Sequence, residues 1–226
     1  MLAVLKKEFK SYFLTPIGYI FIGAFMFLLS FFFYLDVFQL GSISFSDIFY
    51  SGATILTFII PVLTMRTFSE ERKNGTEELL LTTPVNIVKV VIAKFLAAAL
   101  VIVITEALSL VYFFILKKFG EPNVKLVATT LFGFLLLASS YISFGMFASS
   151  ITENQIIASI LTIGGLVATM FLPSLSGFFY PVALINIFDK FPSGVISIAD
   201  IITFVSFTLL FLFFTVIVMQ RRKNYR

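Results

Sequence analysis

The 226-residue chain has no cysteine, no histidine and no tryptophan, and only 12% of its residues are charged. Each absence removes a class of chemistry. Without cysteine there is neither a disulfide nor a thiol nucleophile, and without histidine as well the usual zinc ligand sets cannot be assembled. The missing histidine also removes the commonest general base at neutral pH. No Gly-Lys pair occurs anywhere, so the chain cannot form the glycine-rich loop that cradles nucleotide phosphates. With one carboxylate deep in an apolar segment, an intramembrane Asp pair is excluded too. The chain by itself reads as a non-enzyme that holds no metal or cofactor, and its few basic residues cluster at the ends of apolar segments rather than forming a nucleic-acid surface.

What is present is apolar. Hydrophobic residues make up 59% of the chain, the mean hydropathy is +1.06, and 31 positions are Phe. A soluble domain is nearer half apolar and a quarter charged, so the composition specifies a membrane protein. Six apolar segments, at about 17–35, 48–65, 88–116, 126–149, 156–173 and 201–219, each near the ~20 residues that cross a ~30 Å hydrocarbon core. The fold class is therefore all-α: a polytopic bundle of six transmembrane helices in one domain, residues 1–226. The first segment is too long for a signal-peptide core and is expected to remain as a span. Pro61 should kink the second. Residues 1–15 form an amphipathic segment, with Leu2, Leu5, Phe9 and Phe13 near one face and Lys6, Lys7 and Lys10 off it, suited to the headgroup plane. Without tryptophan, tyrosine must serve most of any interfacial aromatic belt.

Boundaries carry their own signals. Thr15-Pro16 reads as N-cap and first helical residue. Ser44-Phe45-Ser46-Asp47 and Ser197-Ile198-Ala199-Asp200 match capping boxes, and Thr152-Glu153-Asn154-Gln155 matches the Gln form, implying a tight turn between spans four and five. Counting Lys and Arg by side gives twelve on the side of the N-terminus and four on the other, which places both termini in the cytoplasm, and the membrane expected is a prokaryotic plasma membrane. The outer segment 174–197 is apolar but broken by Gly177, Pro181, Pro192 and Gly194, and is expected to be re-entrant or interfacial under a cover of protein.

Two features stand out within the spans. Glu106 is the one acid deep in a span, where a charge costs about 3 kcal/mol. It reads either as part of a cargo path or as packing glue bonded to a neighbouring Ser, Thr or Tyr. Lys94, near the inner end of the same span, is expected to snorkel to the surface. Small residues at Gly164, Gly165, Ala168 and Thr169, and at 138–140, suit close helix packing, within the chain or against a second subunit.

The stretch from Met65 to Lys94 concentrates 9 of the chain's 28 charged residues. Thr76 can cap a short helix through Glu77, Glu78, Leu79, Leu80 and Leu81, halted at Thr83 by Pro84. The Leu triplet leaves an apolar face that must be covered by headgroups, the spans or a soluble partner.

The pattern Arg66-x-x-x-Glu70-Glu71-x-x-x-Gly75-Thr76-x-Glu78-Leu79-Leu80-Leu81-Thr82-x-Pro84-Val85, then Lys94, resembles permease subunits of type-2 ABC exporters, and among them the gliding-motility-associated branch, with Arg72 a further residue of the same loop. The start ending in Thr15-Pro16-Ile17 and the run from Ser149 to Thr152, Glu153, Asn154 and Gln155 agree with that branch. The resemblance implies a six-helix half-transporter that pairs with a second permease, identical or homologous, and docks two ABC ATPase subunits holding ATP and Mg. Residues 66–87 would be the cytoplasmic coupling loop and 1–15 a connecting helix. A stand-alone channel or secondary carrier using Glu106, and a non-transporting membrane scaffold, are the alternatives from other classes.

Overall fold

The computed structural model describes residues 1–39, 45–77, 86–118, 120, 123–175 and 182–224. Among them every regular element is helical. In chain order these are α1 (Leu2–Leu14), α2 (Ile17–Tyr34) continued by a π-helical turn (Leu35–Gln39), α3 (Phe45–Thr64), α4 (Ser69–Lys73), α5 (Ile87–Leu116), α6 (Val124–Ile151), α7 (Gln155–Leu175), α8 (Leu184–Phe188) and α9 (Ile198–Asn224). Six helices are long and apolar enough to cross a membrane, one for each apolar segment of the sequence.

Helices α3, α5 and α6 are the most enclosed of the six, whereas α2, α7 and α9 turn much of their surface outward. That division follows from residue size. On α6, a Cβ added to Gly145 would collide with the Thr64 hydroxyl of α3, and one on Gly133 would enter the Phe191 ring. Only glycine allows these approaches. Gly165 on α7 meets the Phe144 ring of α6 in the same way, while Gly164 faces open space. The small residues of α7 thus serve packing within the chain at one position and leave another uncovered.

Phenylalanine fills what the small residues leave. Phe134 of α6 contacts Phe25, Phe49 and Phe188 at centroid distances of 5.7, 5.2 and 6.2 Å, joining α2, α3 and α8. Tilted and edge-on pairs of this kind add to plain area burial. Pro61 lies inside α3, which continues beyond it to Thr64.

Several helix ends differ from the sequence expectation. Thr15 does not cap α2; its hydroxyl donates 2.7 Å back to the Ser11 carbonyl at the end of α1, because the chain turns sharply there and Gly18 lies against the Tyr12 backbone. The cap of α7 is Asn154, whose Oδ1 accepts from Ile156 N–H at 2.9 Å, and Thr152 instead accepts from Asn154 N–H. The turn is nonetheless tight: α6 ends at Ile151 and α7 begins at Gln155. Ser197 accepts from Ala199 N–H at 3.3 Å, but Asp200 is drawn away from the reciprocal bond by Lys190, 3.1 Å distant. The capping-box residue Ser44 lies outside the described residues.

Of the outer segment 174–197, residues 176–181 lie outside the described residues. The described part that follows contains a short buried helix, α8, with Leu184, Ile185, Ile187 and Phe188 all enclosed. Phe191 seats on Gly133, and Thr129 Oγ1 donates to the Phe191 carbonyl at 3.0 Å. Its irregular backbone is therefore covered by α6, as an apolar medium requires.

Candidate functional site

At one end of the bundle the charged residues of five separate stretches converge. Helix α3 stops at Thr64, and four turn residues lead into α4. The N-terminal N–H groups of so short a helix need acceptors from elsewhere. Ser149 of α6 supplies one: its fully buried hydroxyl accepts from Phe68 N–H and Ser69 N–H, both at 3.1 Å, and donates to the Met65 carbonyl at 2.9 Å. The end of α4 is closed by Gly75, at φ +70°, where a side chain would be strained. Thr76 hydroxyl donates to the Glu71 carbonyl at 3.1 Å, so it secures the end of α4. The backbone is helical again at residues 76–77, and the rest of the expected short helix, with Glu78, Leu79, Leu80, Leu81, Thr82 and Pro84, lies outside the described residues.

Ser149→Ala is therefore expected to displace α4. Two N–H groups would lose their shared acceptor, at about 1–3 kcal/mol for each one left unsatisfied, while the Met65 carbonyl keeps the Ser69 hydroxyl. Faster hydrogen exchange at Phe68 and Ser69, with α6 unchanged, is the expected readout.

The side chains of α4 fan out to different partners. Glu70 receives the Arg66 guanidinium through two N–H donors, one turn back. Glu71 points inward to Lys94, whose ammonium also meets Glu8 of α1. The Nζ distances are 2.9 Å to Glu71 Oε1, 3.0 Å to Glu8 Oε2 and 3.0 Å to the Thr67 carbonyl. All three ammonium donors are thus used, and the Phe68 ring covers the group at 5.3 Å. Lys94 is 2% exposed. It does not snorkel. Two carboxylates from distant parts of the sequence hold it inside, and it ties α1, α4 and α5 together.

Arg72 turns the other way. Its Nε lies 2.7 Å from Glu153 Oε1, and Nη1 donates to the Ile151 carbonyl at 3.3 Å. Glu77, buried at 7% exposure, binds Arg222 of α9 at 3.1 Å. Arg222 also donates to the Ile151 carbonyl at 3.5 Å, so two guanidinium groups meet the C-terminal end of α6, where the helix dipole favours cations. The loop after α3, the start of α5, the turn between α6 and α7, the N-terminal helix and the end of α9 therefore form one polar assembly.

Of the residues selected from sequence, Arg66, Glu70, Glu71, Arg72, Gly75, Thr76, Glu153 and Asn154 belong to this assembly or its turns, with Thr152 and Gln155 framing the second loop. Sequence reasoning did not select Glu8 or Arg222, and it placed Lys94 and Ser149 with the others only within the family resemblance, without the partners they have here. The available signal was Lys94 itself, a cation eight residues inside an apolar helix, and Glu8, the one acid amid three lysines.

A family model for ABC-2 family transporter proteins matches residues 36–220. The chain belongs to the ABC-2 transporter family. A search of curated proteins finds no match. As an ABC-2 membrane domain with six helices able to span, the chain is a multi-pass cell-membrane protein and a permease component. The matched residues include α4, Lys94 and the 152–154 turn, and exclude α1, although Glu8 of α1 completes the Lys94 site.

Glu106 stands apart from this ABC-2 polar end, on α5 about 18 Å along the helix axis from Lys94. It is 9% exposed, and its Oε1 is buried without a hydrogen-bond partner among the described residues.

Proposed function

We propose that the chain is the membrane subunit of an ATP-driven exporter of the gliding-motility-associated branch, and that the Arg72–Glu153 end of the bundle is where a separate ATPase applies force. Two such subunits, identical or homologous, would flank one pathway and engage two ATPases, since a single half cannot both enclose a path and meet a two-fold ATPase pair. Both termini and this polar end would face the cytoplasm, in line with the twelve-to-four distribution of Lys and Arg. ATP and Mg would reside on the ATPase, for this chain carries no nucleotide-binding motif.

The observation that carries the reading is mechanical. A five-residue helix, α4, is joined by buried polar contacts to α1, α5 and α6 at once, through Glu71–Lys94–Glu8 and Ser149. Force applied at α4 would pass directly into two spans. A stand-alone carrier has no need of such a loop, and a scaffold has no need of Glu106.

Glu106 would line the cargo path. In liposomes holding the chain with its ATPase, Glu106→Gln is expected to leave assembly intact and to change cargo-stimulated ATP turnover several-fold. Glu106→Leu should do the same without lowering thermal stability, because no hydrogen bond is lost at Oε1. Should Glu106→Leu instead destabilise the chain while Glu106→Gln turns over normally, the carboxyl is structural and the path assignment fails. If the chain never stimulates or engages an ATPase, the exporter reading itself fails.

A further inference from the structure

A cleft of about 320 Å³ opens beside the Lys94 site, between α1 and the turn that follows α3. Its polar wall comes from Lys7, Glu8, Arg66, Glu70, Glu71 and Lys94, and it continues to Ile17 and Leu63 at the ends of α2 and α3, so polar and apolar walls meet. Three cations face three carboxylates. A ligand of zero net charge therefore leaves the balance undisturbed, whereas an anion or cation upsets it.

The unmet demand in the cleft is specific. Lys94 has spent all three donors, and Arg66 is engaged by Glu70. Thr67 Oγ1 is shared with the Tyr12 hydroxyl, but Glu71 Oε2 is buried and has no hydrogen-bond partner among the described residues. What is missing there is a hydrogen-bond donor, best a charged one, to a carboxylate oxygen. At the rim stands Lys7, with its side chain 73% exposed and 3.9 Å from Glu8, available to an anionic group. Donor inside and anion at the rim describe a zwitterion with a primary ammonium at its tip.

The surroundings point to a lipid as the source. Leu5, Phe9 and Phe13 of α1 pack against the bundle, whereas Leu2 and Leu14 are 77% and 84% exposed, apolar side chains that an interfacial helix can set among acyl chains. The cleft beneath that helix then lies at headgroup level, and Ile17 and Leu63 begin the hydrocarbon-facing spans.

We propose that this cleft binds the headgroup of a primary-amine phospholipid such as phosphatidylethanolamine, its ammonium on Glu71 and its phosphate at Lys7. Bound lipid would fasten α1 to the α4 turn. The site does not depend on the exporter reading, since it concerns binding by the purified chain alone.

Native mass spectrometry of the delipidated 226-residue chain in detergent tests it. The probes are phosphatidylethanolamine, phosphatidylcholine and phosphatidylglycerol with identical acyl chains. Choline keeps the charge of ethanolamine and loses its N–H donors; phosphatidylglycerol loses the ammonium. Phosphatidylethanolamine is expected to bind about tenfold more tightly than either, a ratio typical of one charge-assisted hydrogen-bonded contact. Glu71→Gln should erase the preference. Because Glu71 also holds Lys94, a second variant, Ser11→Phe, fills the cleft from an exposed position of α1 without touching the ion pairs, and should erase it too. Equal binding of the three lipids overturns the site, as does a preference that survives Ser11→Phe. Loss of ATPase binding in Ser11→Phe without any lipid selectivity would also overturn it, assigning the cleft to a basic side chain of a protein partner.

Discussion

Lys94→Met is expected to be among the most damaging single substitutions in the chain, lowering stability by about 3–5 kcal/mol. The side chains have similar length, so the loss is electrostatic. Glu8 and Glu71 would be left facing each other in a buried site with no cation between them, and the Thr67 carbonyl would lose its donor. Thermal unfolding in detergent would show the loss as a large downward shift in Tm. The triple variant Lys94→Met, Glu8→Gln, Glu71→Gln should recover much of it, because replacing a whole buried ionic set is far cheaper than breaking it. If Lys94→Met is as stable as the parent, the ammonium is not the tie between α1, α4 and α5.

Arg72→Glu is expected to have the opposite profile: little effect on stability and a large effect on coupled transport. Its guanidinium is partly exposed and its partner Glu153 more so, with side-chain exposures of 29% and 60%. A pair this wet contributes about 0–1 kcal/mol to folding. Yet it is the direct link between the α4 loop and the α6–α7 turn. Charge reversal would set a carboxylate at position 72 against Glu153 and Glu77, and the two loops should then move independently. ATP turnover by the partner would persist while transport falls about tenfold or more. Glu153→Arg in the same chain restores an opposite pair and should return transport toward the parental rate; failure of that swap to restore anything would remove Arg72 from the coupling path. Glu70 and Glu71, adjacent in sequence, should behave differently from each other. Glu70→Ala breaks a half-exposed pair with Arg66, whereas Glu71→Ala strands the buried Lys94 and should act as a folding mutation.

The spans were legible because hydropathy and length are local properties: six apolar runs became six helices. Helix ends were less legible. Thr152 and Asn154 are both good caps, and the choice between them depends on where α6 stops, which Arg72 and Arg222 on the Ile151 carbonyl help to fix. The loop after α3 could be found from its charge density, but its partners could not. Lys94 looked like a snorkelling cation because that is the usual outcome near a helix end, and its carboxylate partners lie 23 and 86 residues away. Ser149 gave no sign of serving α4, since a serine in an apolar helix usually bonds its own preceding turn. Non-local polar contacts of this kind are set by packing, which the order of residues does not display.

The chain's lack of cysteine makes one measurement especially direct. A single cysteine introduced at Lys73 or Asn154, on the polar end, or at Val195, at the opposite end near α8, carries a photoreactive cross-linker as the only label on the protein. After illumination of native membranes, the cross-linked product is identified by mass spectrometry. The account predicts an ABC ATPase joined to positions 73 and 154, with yield rising when nucleotide is added, and none at position 195. An ATPase captured at position 195, or absent from all three positions in membranes where transport is active, would contradict it.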